Sequence, residues 1–227
     1  MNDDSKEQNV AYTAQYQERL KELEHVFEVE PQQFIQKHVL GDNEYFVEIK
    51  CYLIDKRGED GVISRTGVSK TLVTNAANET VLEIKSAYED QFVNLVKHRN
   101  GKDYLVYRKD LYGYSIYDVA DKKSVDYFPK ESLDGGETFI WCSVKYCAVN
   151  DVLAVQGCYW ACPYGFIFYD FSAPMEVPLK LLTDKYYTGF DHSVIAVEFT
   201  EKGECELTVS KTEQMIVDVR SPEKQHE

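Results

Sequence analysis

A chain of 227 residues that is 44 % hydrophobic and 13 % aromatic can bury a substantial core and is too apolar to be disordered. Its 39 acidic residues against 25 basic ones leave a formal charge of −14. That charge excludes a general nucleic-acid binder, since neutralising phosphates takes clustered Lys and Arg, and it opposes adhesion to an anionic membrane.

No window approaches about 18 consecutive apolar residues, so no membrane-spanning helix is expected. The opening MNDDSKEQNV is acidic and polar with no apolar run behind it, unlike a secretory signal. Six cysteines in such a chain read as reduced thiols, and the expected setting is the cytoplasm.

Residues 10–27 have helical periodicity: Tyr12, Tyr16, Leu20, Leu23 and Phe27 fall on one stripe, with Glu18, Arg19, Lys21, Glu22 and Glu24 elsewhere. Pro31 follows, and residues 31–38 read as a second short helical turn before Gly41-Asp42-Asn43. The expected organisation is a helical segment over 1–40, a single antiparallel β domain over 41–222, and a tail over 223–227.

From Tyr45 the period shifts to two, with Val47, Ile49, Cys51 and Leu53 on one face. Residues 66–74 and 80–84 follow as strands, and 88–96 suit strand or helix. Asn100-Gly101 between β-formers is a hairpin signal. Strands are expected over 104–108, 112–119 and 124–128, the last ended by Pro129. Residues 135–178 form the densest β unit, with strands expected over 138–148, 152–157, 165–171 and 177–181. A further strand is expected over 205–209.

A weak repeat runs through these units. Asn100 and Asn150 begin turns 50 residues apart, Tyr117-Asp118 and Tyr169-Asp170 close strands 52 apart, and Val217-Asp218 follows 48 beyond Asp170. Four-stranded sheets recurring every ~40–50 residues are the mark of propeller blades. The expected fold is therefore mostly β, with antiparallel meander units resembling propeller blades and an N-terminal α-helix. A two-sheet β-sandwich is the alternative.

Asp110-Leu111-Tyr112-Gly113-Tyr114, Gly135-Gly136-Glu137-Thr138-Phe139-Ile140-Trp141 and Gly157-Cys158-Tyr159-Trp160-Ala161-Cys162-Pro163-Tyr164 resemble segments of a small group of uncharacterised bacterial proteins. The likeness spans residues 100–175 and leaves out the N-terminal third. It implies a bacterial cytoplasmic protein and, as that group has no known activity, transfers no catalytic residue.

The loop 157–164 concentrates Tyr159, Trp160 and Tyr164 between two strong strands. Such residues bring large rigid contact area plus a polar handle, which suits recognition; the alternative is that they plug the end of a sheet. Cys142, Cys147, Cys158 and Cys162 are spaced C-x4-C and C-x3-C rather than in tight zinc pairs. Cys142 and Cys147 also fall on opposite faces of a strand, so buried thiols are expected, with no metal and no cofactor. No spacing pairs Cys158 or Cys162 with His98 or His192. Phosphate-loop, dinucleotide, nucleophile-elbow and H-E-x-x-H patterns are all absent.

The expected function is that of a non-catalytic binding protein for a protein partner or small molecule. Its surface would be built from Asp110, Tyr112, Glu137, Trp141, Tyr159, Trp160 and Tyr164. One alternative is a hydrolase using the loop carboxylates Asp134 and Glu137. Another is an assembly protein that oligomerises through Tyr16, Leu20, Leu23 and Phe27.

Overall fold

The computed structural model of the chain describes residues 9–28, 35–57, 61, 63–89, 91–160, 162–183, 196–210 and 213–220. A short helix, α1 (Ala14–Lys21), and a 3-10 turn (Glu24–Glu28) precede the sheets. Four strands follow: β1 (Ile35–Leu40), β2 (Tyr45–Arg57), β3 (Ile63–Asn75) and β4 (Thr80–Ser86). The next four are β5 (Val93–Lys97), β6 (Asp103–Tyr107), β7 (Tyr114–Asp118) and β8 (Lys123–Tyr127). A one-turn helix, α2 (Glu131–Asp134), leads to β9 (Ile140–Cys147), β10 (Val152–Cys158) and β11 (Gly165–Asp170). The last are β12 (Ala196–Phe199), β13 (Cys205–Ser210) and β14 (Glu213–Val217). The fold is mostly β, in four antiparallel sheets whose strands lie side by side in chain order: β1–β4, β5–β8, β9–β11 and β12–β14.

The sheets share cores with their neighbours in sequence. Val47, Ile49 and Cys51 of the first meet Val93, Leu105 and Tyr107 of the second. The opposite face of the second, with Tyr104, Val106, Tyr114 and Ile116, meets Trp141, Leu153 and Val155 of the third. The reverse face of the third, with Val152, Ala154, Phe166 and Phe168, meets Val197, Cys205 and Leu207 of the fourth. Successive side chains of a strand point to opposite faces. A sheet covered on both sides therefore needs apolar residues at consecutive positions, and Val152-Leu153-Ala154-Val155 supplies them, all buried.

The sequence repeat has a hydrogen-bonding basis. Three hairpin loops, starting at Asn75, His98 and Thr200, close identically. The first residue's N–H donates to the fifth carbonyl, and the fourth N–H donates back to the first carbonyl. The third N–H donates to the first residue's side chain. The fourth residue needs a left-handed backbone, taken by Asn78 (φ 61°), Gly101 (φ 82°) and Gly203 (φ 80°), types that tolerate it. After Asn150 the same position is held by Asp151 (φ 52°). The strand-ending aspartates each cap the next turn through Oδ1, accepting from the N–H of Asp121, Ser172 and Arg220 respectively.

Several expectations change. The helix is shorter than residues 10–27: Thr13 caps it by accepting from the Tyr16 N–H at 3.3 Å, and the chain tightens after Lys21. Tyr16 is fully buried and stacks on Phe128 at 4.6 Å, Leu20 packs beside them, and Leu23 and Phe27 pack with Tyr52 and Val68. That stripe is thus covered by its own chain, except Tyr12, which is exposed. Instead of a helical turn, Ile35–Leu40 pairs with β2, so the β domain begins at Ile35 and not at residue 41; residues 31–34 lie outside the described residues. Of the stretch 88–96, residues 93–96 are strand, in β5. The strand expected over 177–181 is reduced to a single bridge, Tyr169 to Leu181. The 223–227 tail lies outside the described residues.

Candidate binding surface

Three loops meet at one end of the third sheet. The first joins β6 to β7 (residues 108–113), the second joins α2 to β9 (135–139), and the third joins β10 to β11 (159–164). A bulge shapes the third. The register passes from Gln156 opposite Ser143 to Gly157 opposite Trp141, leaving Cys142 as the extra residue. A Cβ on Gly157 would overlap the Ile140 carbonyl oxygen and come within 2.8 Å of the Phe139 ring, so only glycine lets the strands approach here.

Beyond the bulge, Tyr159 lays its ring against Phe139 at 5.4 Å. The Cys162 N–H donates to the Tyr159 carbonyl at 3.0 Å and turns the chain. Trp160 stands at the tip, 64 % exposed, and Tyr164 is 54 % exposed. The Trp160 N–H donates to the Glu137 carboxylate, which fastens the third loop to the second. Tyr112 joins them from the first: burial pushes its phenol pKa up, and the charges of Glu137 and Tyr88 add to the rise.

Two of the expected surface residues lie underneath. Trp141 is 2 % exposed, stacks on Tyr114 at 4.2 Å, and its carbonyl accepts from Arg108 Nη1 at 2.8 Å. Asp110 is 3 % exposed; it accepts from the Tyr16 hydroxyl at 3.1 Å and from the Leu111 N–H at 2.8 Å, and Arg19 lies 3.5 Å away. Burying a carboxylate is costly unless it is hydrogen-bonded and paired, and these partners fulfil that condition. Trp141 and Asp110 therefore brace the loops, while Trp160, Tyr164 and Glu137 face solvent and Tyr112 and Tyr159 are half-buried. Asp134, at the end of α2, is exposed, as is Glu137.

The structure adds residues that the sequence did not single out. Arg19, Tyr88, Glu131 and Ser132 join Asp110 and Tyr112 around a hollow of about 340 Å³ beside the loops. Arg19 has no local signal, because its partners are distant in sequence. A wider hollow of about 670 Å³ lies on the first sheet, over Val39, Phe46 and Leu72. Its charged neighbours are already paired, Lys37 and Lys50 with Glu48 at 2.8 and 3.2 Å, which leaves it few groups to orient a ligand.

His98 does not meet the cysteines through its ring nitrogens. Nε2 lies 3.0 Å from the Phe171 carbonyl oxygen, and Nδ1 accepts from the Asn100 N–H at 3.2 Å. His192 lies outside the described residues. Among the described residues no group of three or more His, Cys, Asp and Glu is placed to hold a metal ion, and no helix is long and apolar enough to cross a membrane. Compared with known proteins, the chain matches no family model and no curated sequence.

Proposed function

We propose that the protein is a non-catalytic binding module that captures a protein partner on the three converging loops. The observation that carries this reading is the exposure of Trp160 and Tyr164 on a rigid base. Aromatic anchors of this kind dominate binding energy at protein interfaces. Beneath them the stacked Trp141 and Tyr114, and Phe139 under Tyr159, fix the loops before any partner arrives, which lowers the ordering cost of association. Glu137, which holds the Trp160 N–H, is exposed, and Glu131 and Asp134 belong to α2 just before its loop, so the partner that fits presents Lys or Arg beside an apolar anchor. The setting that accords with the sequence resemblance is a bacterial cytoplasm.

The test is site-specific photocrosslinking in source cells, with the reactive group at Tyr164 and, as a control, at the exposed Ile63 of the first sheet. The crosslinked protein is then purified and titrated. Trp160→Ala is expected to weaken binding by about 2 kcal/mol or more with an unchanged urea midpoint. An equal crosslink at Ile63, unchanged affinity, or unfolding of the variant would overturn the assignment.

A further inference from the structure

Three of the six thiols stand at the base of the aromatic loop. Cys158 ends β10 and is half-buried; Cys162 lies beyond the Trp160 tip and is exposed. The Tyr159-to-Cys162 turn, closed by its 3.0 Å hydrogen bond, keeps its ends within about 7 Å, and Cys158 directly precedes it. A backbone that folds back directly after Cys158 brings Cys162 toward it, and cysteines whose Cα atoms come within about 7 Å of each other can be bridged by a disulfide. Behind them Cys142, the extra residue of the bulge, has its Sγ 3.7 Å from the Ile140 carbonyl and hydrogen-bonds the Cys158 thiol.

We propose that Cys162 and Cys158 are a peroxide-sensing thiol pair whose disulfide re-aims Trp160. The Cys162 thiolate attacks one oxygen of hydrogen peroxide, the O–O bond breaks, hydroxide leaves, and Cys162 becomes a sulfenic acid. The Cys158 sulfur then attacks the Cys162 sulfur. The S–O bond breaks, the Cys158 proton joins the departing hydroxyl as water, and the S–S bond forms. Two thiols are oxidised by two electrons and one peroxide is reduced to two waters.

The surroundings assign the two roles. Burial pushes the Cys158 thiol up and the neighbouring Cys162 adds to it, against the opposing pull of Arg108 and Cys142. Cys158 is thus a protonated, sheltered resolving thiol, while Cys162 meets solvent first. Cys51, Cys147 and Cys205 are buried in the sheet cores, and burial with the nearby Cys147 pushes the Cys205 thiol up to about 12. The new bond would close a ring around Tyr159, Trp160 and Ala161 and disturb the Trp160-to-Glu137 contact. The consequence for partner capture rests on the binding reading above; disulfide formation does not.

The test uses the full chain and hydrogen peroxide in slight excess, followed by non-reducing peptide mapping and tryptophan emission. No Lys or Arg falls between Lys145 and Lys180, so one tryptic peptide carries Cys147, Cys158 and Cys162. In the wild type this peptide is expected to lose two hydrogens, reversibly with dithiothreitol, as the emission shifts. Cys158→Ser is expected to stop at a sulfenic acid on Cys162, trapped by dimedone. Cys162→Ser, which alters only an exposed side chain, is expected to leave the peptide unoxidised. Persistence of the two-hydrogen loss in either variant, or direct over-oxidation of the wild type, would overturn the pair. A disulfide that leaves the emission unchanged would overturn its coupling to Trp160.

Discussion

Asp170 illustrates how single residues join one sheet to the next. Burial opposes its ionisation, but hydrogen bonds from Arg220 and Ser172 outweigh that and hold its pKa down at about 2. Arg220 reaches Asp170 Oδ2 at 3.1 Å and the Asp151 carbonyl at 3.2 Å, so one guanidinium just past β14 fastens the fourth sheet to the third. A carboxyl whose pKa is depressed on folding stabilises the fold above its unfolded pKa and loses that contribution as pH falls through the folded value. Arg220→Ala is therefore expected to lower stability by about 1 kcal/mol at neutral pH. The difference from wild type should persist down to about pH 4 and vanish toward pH 2. Urea melts across that range check it, and a difference that grows in acid would contradict it. At this scale the sequence is least legible. Trp141 and Trp160 both looked like surface residues, and only the tertiary structure buries the first and exposes the second. Asp110 resembled any loop acid because the hydroxyl that holds it belongs to Tyr16, 94 residues away.

At the scale of elements, the joint that aims the aromatic loop is the bulge between β9 and β10. Gly157 sits where the strands come closest, and any larger residue must push against the Ile140 carbonyl or the Phe139 ring. Gly157→Ala is expected to cost about 2 kcal/mol, as overpacking of a close-packed site does. It should also weaken partner binding, because the loop hangs from this joint. Urea unfolding measures the first effect, and titration of the partner the second. Unchanged stability would mean that the strands can part without penalty. Strands with strong alternation and a turn signal at each end were legible in the sequence, such as β6 after Asn100-Gly101. The misread elements lacked local cues. Ile35–Leu40 is extended because β2 offers it a partner, not because its own residues demand it. The expected strand at 177–181 finds one bridge and no ladder.

For the molecule as a whole, the order of the sheets sets a gradient of protection. The second and third sheets are covered on both faces, whereas β1 lies at an edge with five of its six residues exposed. The repeat was legible because tight hairpins and turn-capping aspartates recur, Asp118, Asp170 and Asp218 capping turns after strands of the second, third and fourth sheets, and those needs select particular residues at recurring positions. The face-to-face stacking was legible only in part, through runs such as Val152-Leu153-Ala154-Val155 that leave no polar side for water. Amides exchange through local openings in regions with little buried apolar contact and through near-global unfolding in the core. Hydrogen exchange is therefore expected to be slowest in β6, β7 and β10 and fastest in β1. Protection of β1 equal to that of β10 would mean that something covers the outer edge of the first sheet in solution. With the expected gradient, the stable centre of the molecule coincides with the sheets that carry the three loops. Trp160 and Tyr164 would then be presented by its most rigid part, as a surface shaped before its partner arrives requires.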